Sequence, residues 1–173
     1  MPDTSLEKDE FVFNLISNRN DAEFERSNIL DNKAGGIIGF AGIIIGLLGT
    51  LITFLLEKIS VASPLFFYYQ SFRVVLFLGI IALVCSIFFA VLAYSIKTYN
   101  IVPNTAALIE KYARDDEKSK CDILQVVGLE ISESIKINSI TDDGKAKFVK
   151  WALSLFTLGM LLTVIFVCGL LMI

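Results

Sequence analysis

The amino-acid sequence predicts an all-α polytopic membrane protein with three transmembrane helices and short cytosolic helices. Three observations carry that prediction. Of 173 residues, 55% are apolar and only 19% are charged, and the mean hydropathy is +0.69, far from a soluble domain of this size. Three runs of 23 residues contain no Asp, Glu, Lys or Arg: Ala34–Leu56, Val74–Ile96 and Trp151–Ile173. The polar segments between them place their apolar residues at helical spacing.

Each charge-free run, at about 1.5 Å per residue, reaches roughly 34 Å and covers a hydrocarbon core of about 30 Å with slight tilt. Helices are expected because a lone strand in lipid leaves its backbone unpaired, and these runs lack the alternation of barrel strands. A cleaved signal peptide is not expected, since 33 mostly polar, acidic residues precede the first run. The chain therefore divides into a cytosolic N-terminal helical segment (1–33), a first span (34–56), an external loop (57–73), a second span (74–96), a cytosolic helical segment (97–150) and a third span (151–173). By size the chain is one domain.

Orientation follows from the basic residues. The leading segment carries Lys8, Arg19, Arg26 and Lys33, and the 97–150 segment carries nine Lys or Arg, whereas the loop between the first two spans has only Lys58 and Arg73. The positive-inside rule then predicts a cytoplasmic N-terminus, a cytoplasmic 97–150 segment and an external C-terminus. The run Leu65, Phe66, Phe67, Tyr68 and Tyr69, and Trp151 on the other side, are expected to anchor at the headgroups.

The polar segments read as helices. Glu23–Lys33 has no proline or glycine and can run straight into the first span as a stalk. Asn100 and Pro103 interrupt the chain after the second span. Thr105 can cap a helix through Lys118 that carries Ala106, Ile109, Tyr112 and Ala113 on one face, with Asp115, Asp116 and Glu117 as its solvated end. Leu124, Val127, Ile131 and Ile135 mark a further amphipathic helix before Asp142, Asp143 and Gly144 lead to the third span. These faces need a partner: one another, the N-terminal helix or a neighbouring subunit.

Composition narrows the function. A net charge of −3 offers no basic field for nucleic acid. With no histidine, the commonest general base and metal ligand is missing, so no catalytic residue, metal or cofactor is expected and the chain does not read as an enzyme. Cys85, Cys121 and Cys168 suggest no disulfide framework and read as small buried hydrophobes. The spans contain hydroxyls rather than carboxylates or bases, which argues against a pump; those hydroxyls should bond their own helix backbone or bridge neighbours.

The first span has one internal pattern. Gly35, Gly39, Gly42, Gly46 and Gly49 recur in steps of four, three, four and three, a period of 3.5 that aligns five glycines as a helix-packing seam, within the chain or between subunits of a homo-oligomer.

The stretch Glu25-Arg26-Ser27-Asn28-Ile29-Leu30-Asp31-Asn32-Lys33-Ala34, running into the first span, resembles the D-x-K-A entrance motif of Pycsar-type transmembrane effectors. The order of parts is similar too: two spans, a proline soon after (Pro103), a short cytosolic helical segment with a late lysine (Lys145 or Lys147), and a last span. The resemblance implies an anti-phage defence protein. In it a cytosolic cyclic nucleotide triggers the effector, and assembled helices impair the membrane. It marks Asp31, Lys33 and Ala34 as candidate gating or contact residues. No separate cyclic-nucleotide-binding domain is present in the sequence. A membrane anchor that docks a cytosolic partner through Thr105–Ile140 and a small housekeeping channel subunit are the other readings of the same architecture.

Overall fold

In a computed structural model, described for residues 4–58, 66–96 and 119–171, the chain forms three helices: α1 (Thr4–Lys58), α2 (Phe66–Ser95) and α3 (Lys120–Leu171). All three are long and apolar enough to cross a membrane, and the protein is a multi-pass membrane protein with its apolar surfaces against lipid. Only 17%, 33% and 17% of their most apolar stretches are buried within the chain. Phe40, Leu47, Phe77, Phe88 and Leu161 instead point outward, an arrangement that water would penalise and hydrocarbon does not.

Helix α1 is unbroken over 55 residues, so the polar Glu23–Lys33 stretch does continue into the first span. Helix α3 is likewise unbroken over 52 residues and runs through Asp142–Gly144. The start of α3 is a capping box that the sequence reading passed over. Ser119 Oγ accepts from the Asp122 amide at 3.3 Å, and Asp122 Oδ2 accepts from the Ser119 amide at 3.1 Å, so two otherwise orphaned donors are paired. Helix α2 begins at Phe66, ahead of the charge-free run, so Phe66–Tyr69 belong to its first turns. Leu65, Asn100, Pro103 and the Thr105–Lys118 helix expected from the sequence lie outside the described residues.

Size suggested one domain, but the chain divides into two compact units, residues 1–29 with 97–144 and residues 30–96 with 145–173. The second unit contains all three spans. Its inward positions recur at a 3.5-residue period: Ala34, Ile37, Ala41 and Leu48 on α1; Leu76, Gly79, Leu83, Ser86, Ala90 and Ala93 on α2; Lys145, Val149, Ala152, Gly159, Thr163 and Phe166 on α3. That period is the signature of left-handed knobs-into-holes packing. Two clusters result, one around Ala34, Ala90 and Ala152, the other around Ala41, Leu83 and Phe166. Small residues dominate because helices in lipid gain by close dispersion contact rather than by escape from solvent.

Helices α2 and α3 approach each other closely at Gly79 and Gly159. A Cβ on Gly159 would lie 2.8 Å from Leu83 Cγ and 3.1 Å from the Gly79 carbonyl oxygen, and one on Gly79 would lie 3.3 Å from Leu162 Cβ. The same pair is tied by Ser86 Oγ, which donates to the Ala152 carbonyl at 2.7 Å. Contacts that rise along α3 fall along α2, so these helices are antiparallel.

In the first unit α1 and α3 pair in parallel, with Lys120 donating to Glu10, Gln125 to Asp9, and Arg26 to Asp143. The Ile131 face expected from the sequence does cover α1: Ile131 is buried, and Ile16 lies 3.4 Å from where a Cβ on Gly128 would be.

Candidate functional site

The sequence marked the entrance motif and the glycine stripe, and the structure brings the first of these into contact with one of the two late lysines. Asp31 on α1 meets Lys145 on α3. The Lys145 ammonium donates to Oδ1 at 3.0 Å and to Oδ2 at 3.2 Å. The side chain of Lys145 is 1% exposed, that of Asp31 31%. Helical phase explains the arrangement: Lys145 occupies an inward position of the 3.5-residue stripe on α3, and Asp31 flanks the matching stripe on α1. Of the two candidate late lysines, Lys145 is therefore the inward one, and Lys147 is exposed.

The rest of the entrance motif diverges. Ala34 is 1% exposed and packs with Ile37, Ala93, Val149 and Ala152, a site where any larger side chain would displace a helix. Lys33 is exposed, as are Lys150 and Trp151, in keeping with side chains that reach for a headgroup region.

The glycine stripe faces away from the chain's own packing. Gly35, Gly39, Gly42, Gly46 and Gly49 are exposed, and a Cβ added at any of them meets nothing within 4 Å. Among the described residues, no helix of the same chain closes on the seam, and the close approach that the glycine pattern signalled is found instead at Gly79 and Gly159. The sequence signal for that crossing was one isolated glycine on each helix at an inward position, which cannot be told from ordinary glycine in a uniformly apolar run. Thr50 and Thr53 donate to the carbonyls of Gly46 and Gly49, each at 3.0 Å, so their hydroxyls are satisfied on their own helix. Thr157 and Thr163 behave alike. The cysteines are less buried than expected: Cys85 and Cys121 are half-buried and Cys168 is exposed, and for Cys85 and Cys168, in the spans, an apolar thiol in lipid has no reason to turn inward.

The first unit has a polar seam. Glu23, Ser27, Ser134, Asn138 and Asp142 are buried there, and Glu23 accepts from Arg19 at 2.6 Å and from Arg26 at 3.5 Å. Arg26 also donates to Asp143 at 2.5 Å. That bond holds its guanidinium pKa above the ordinary value, against partial desolvation that works the other way. The same unit has two grooves. One, of about 310 Å³, has mainly apolar walls with Asp9 and Gln125 at its edge. The other, of about 460 Å³, combines Leu15, Ile16, Ala22 and Ile135 with Asn18, Arg19 and Ser132. Among the described residues, no group of three or more Cys, Asp or Glu is placed to hold a metal ion.

Comparison with known protein families shows that residues 17–173 match the Pycsar effector protein domain. The matched region includes both Asp31 and Lys145, all three charge-free runs and the polar seam. The curated proteins and the solved structures give no match.

Proposed function

From the premise that the chain belongs to the Pycsar effector protein domain family, and so is an anti-phage defence effector, we propose that it acts as a homo-oligomer in the inner membrane and impairs membrane integrity on a cytosolic cyclic-nucleotide signal. The observation that carries this reading is the exposed glycine stripe. Three spans with outward faces this apolar cannot enclose an aqueous path alone. A side-chain-free stripe left open by the described helices, however, suits close packing against a second copy. Five open glycines at one period give the neighbour a continuous line of approach.

The proposed orientation puts the N-terminus and the polar unit in the cytosol, in line with the distribution of Lys and Arg. The signal would then meet the unit that contains Arg19. Of its two grooves, the one beside Arg19 supports a nucleotide better: it offers an apolar wall for a base and a guanidinium for a phosphate, whereas the other presents Asp9. No catalytic step is assigned to the chain.

Co-expression with a cognate nucleotide cyclase should depolarise cells, and Gly42→Leu with Gly46→Leu should abolish this. Because both positions face open space, the double variant should still accumulate in the membrane fraction. In detergent it should run as a smaller species than the parent. Unchanged membrane potential in the parent would favour a passive anchor, and conduction without any cyclase would favour a housekeeping channel.

A further inference from the structure

We propose that the Asp31–Lys145 ion pair is a clasp that holds α1 and α3 in a single register and thereby keeps the protein at rest.

The argument begins with the cost of the pair. An ammonium with 1% of its side chain exposed has lost its hydration, and an apolar residue of similar size in its place would pack at no such cost. A buried pair of this kind is poor evidence for stability; its best-attested role is to select one arrangement over its alternatives. Here the alternatives are easily stated. The inward positions that follow on both helices, Ala34 and Ile37 against Val149 and Ala152, are small or aliphatic. Contacts among them discriminate weakly between registers, and in lipid no hydrophobic force penalises a slip. A shift of one heptad along α1 would bring Lys145 opposite Phe24 or Ile38, neither of which can neutralise it. Of these three registers, the observed one is the one that sets a carboxylate directly opposite the ammonium.

The pair is also built to release. Asp31 is 31% exposed, so water reaches the carboxylate, and a small separation of the helices would let both ions hydrate. It belongs to the transmembrane unit, at the first residues that α1 and α3 contribute to it. A change there would be passed along two rigid helices to the spans. The resting-state claim rests on the effector reading given above; the register claim does not.

The test uses the full chain with Cys85, Cys121 and Cys168 each replaced by Ala, and Val149→Cys, a smaller side chain, as a reporter. Val149 is 6% exposed one turn beyond Lys145, so N-ethylmaleimide should modify the reporter slowly in detergent. Asp31→Asn or Lys145→Met should speed modification about tenfold or more. The exchange Asp31→Lys with Lys145→Asp should restore slow modification. In cells the single variants should depolarise the membrane without any cyclase, and the exchange should be quiet; a merely structural role predicts loss of protein or of function, not gain. Should a single variant fail to accumulate, Asp31→Asn with Lys145→Met leaves no buried charge and keeps the test readable. Fast modification of that double variant supports the clasp, and slow modification overturns it. Modification that follows the pair without any depolarisation supports the register claim and overturns the resting-state claim, while the parent's response to a cyclase decides the effector reading separately.

Discussion

A single glycine can be worth opposite amounts in this protein, depending on which way its helix face points. At Gly159 an added methyl would press on Leu83, itself fully buried, and on the Gly79 backbone. Gly159→Ala should therefore cost about 1–3 kcal/mol through forced displacement of α2 from α3. At Gly42 nothing among the described residues of the chain stands within 4 Å, and Gly42→Ala should be neutral or stabilising for the fold of the single chain by up to about 1 kcal/mol, the helix-propensity difference, apart from any effect on the proposed contact with a second copy. Reversible unfolding in detergent, compared for the two variants, checks both. Arg26 supplies the pH argument. Its pKa is raised in the folded protein, first through the hydrogen bond to Asp143. A raised folded pKa gives stability that is complete below the unfolded value and is lost only as pH climbs through the folded one. For a guanidinium both lie far into alkali. Stability from this group should thus stay flat from neutral pH to about pH 10 and respond instead to salt, since the pair is exposed. Thermal melts at a series of pH and ionic strengths measure this.

At the scale of elements, α1 and α3 are each one helix with two kinds of inward face. In the unit formed by residues 1–29 and 97–144 the seam is polar, with Glu23, Ser27, Ser134, Asn138 and Asp142, and Ile131 is the large apolar side chain buried there among the described residues. In the transmembrane unit the inward positions are almost all apolar. Water competes for the hydrogen bonds of a polar seam, whereas lipid offers the spans no alternative partners. Backbone amides of residues 9–29 and 120–144 should accordingly exchange with deuterium sooner than those of residues 76–93 and 149–166, as measured by mass spectrometry in micelles. Equal protection would mean that the polar seam is as firmly closed as the apolar one. Ile131→Ala should loosen the polar unit further, by about 2–4 kcal/mol.

For the whole molecule, the prediction concerns sidedness. Basic residues are concentrated in 1–33 and 97–150, so a cysteine at the exposed position Glu133, introduced as Glu133→Cys in the cysteine-free chain, should escape a membrane-impermeant maleimide in intact cells and react after lysis. Reaction in intact cells would turn the topology over and place the polar unit away from any cytosolic signal.

Much of this was legible in the sequence because the medium does the sorting. A run of 23 residues without charge must lie in lipid, and a backbone in lipid must be helical, so the number of spans and their type follow from composition and length alone. The resemblance of the Asp31-Asn32-Lys33-Ala34 stretch to an effector family was also written in the chain itself, and the family match over residues 17–173 agrees with it. What the linear text could not say is which face of each span turns inward, for lipid is as apolar as the protein core and hydropathy is blind between them. Tertiary structure alone decided that the glycine stripe of α1 faces outward while Gly79 and Gly159 make the tight crossing. It alone joined Asp31 to Lys145 across 114 residues, because the rotational phase of two long helices, set by packing, decides which charges turn inward, and no local pattern in the sequence states that phase.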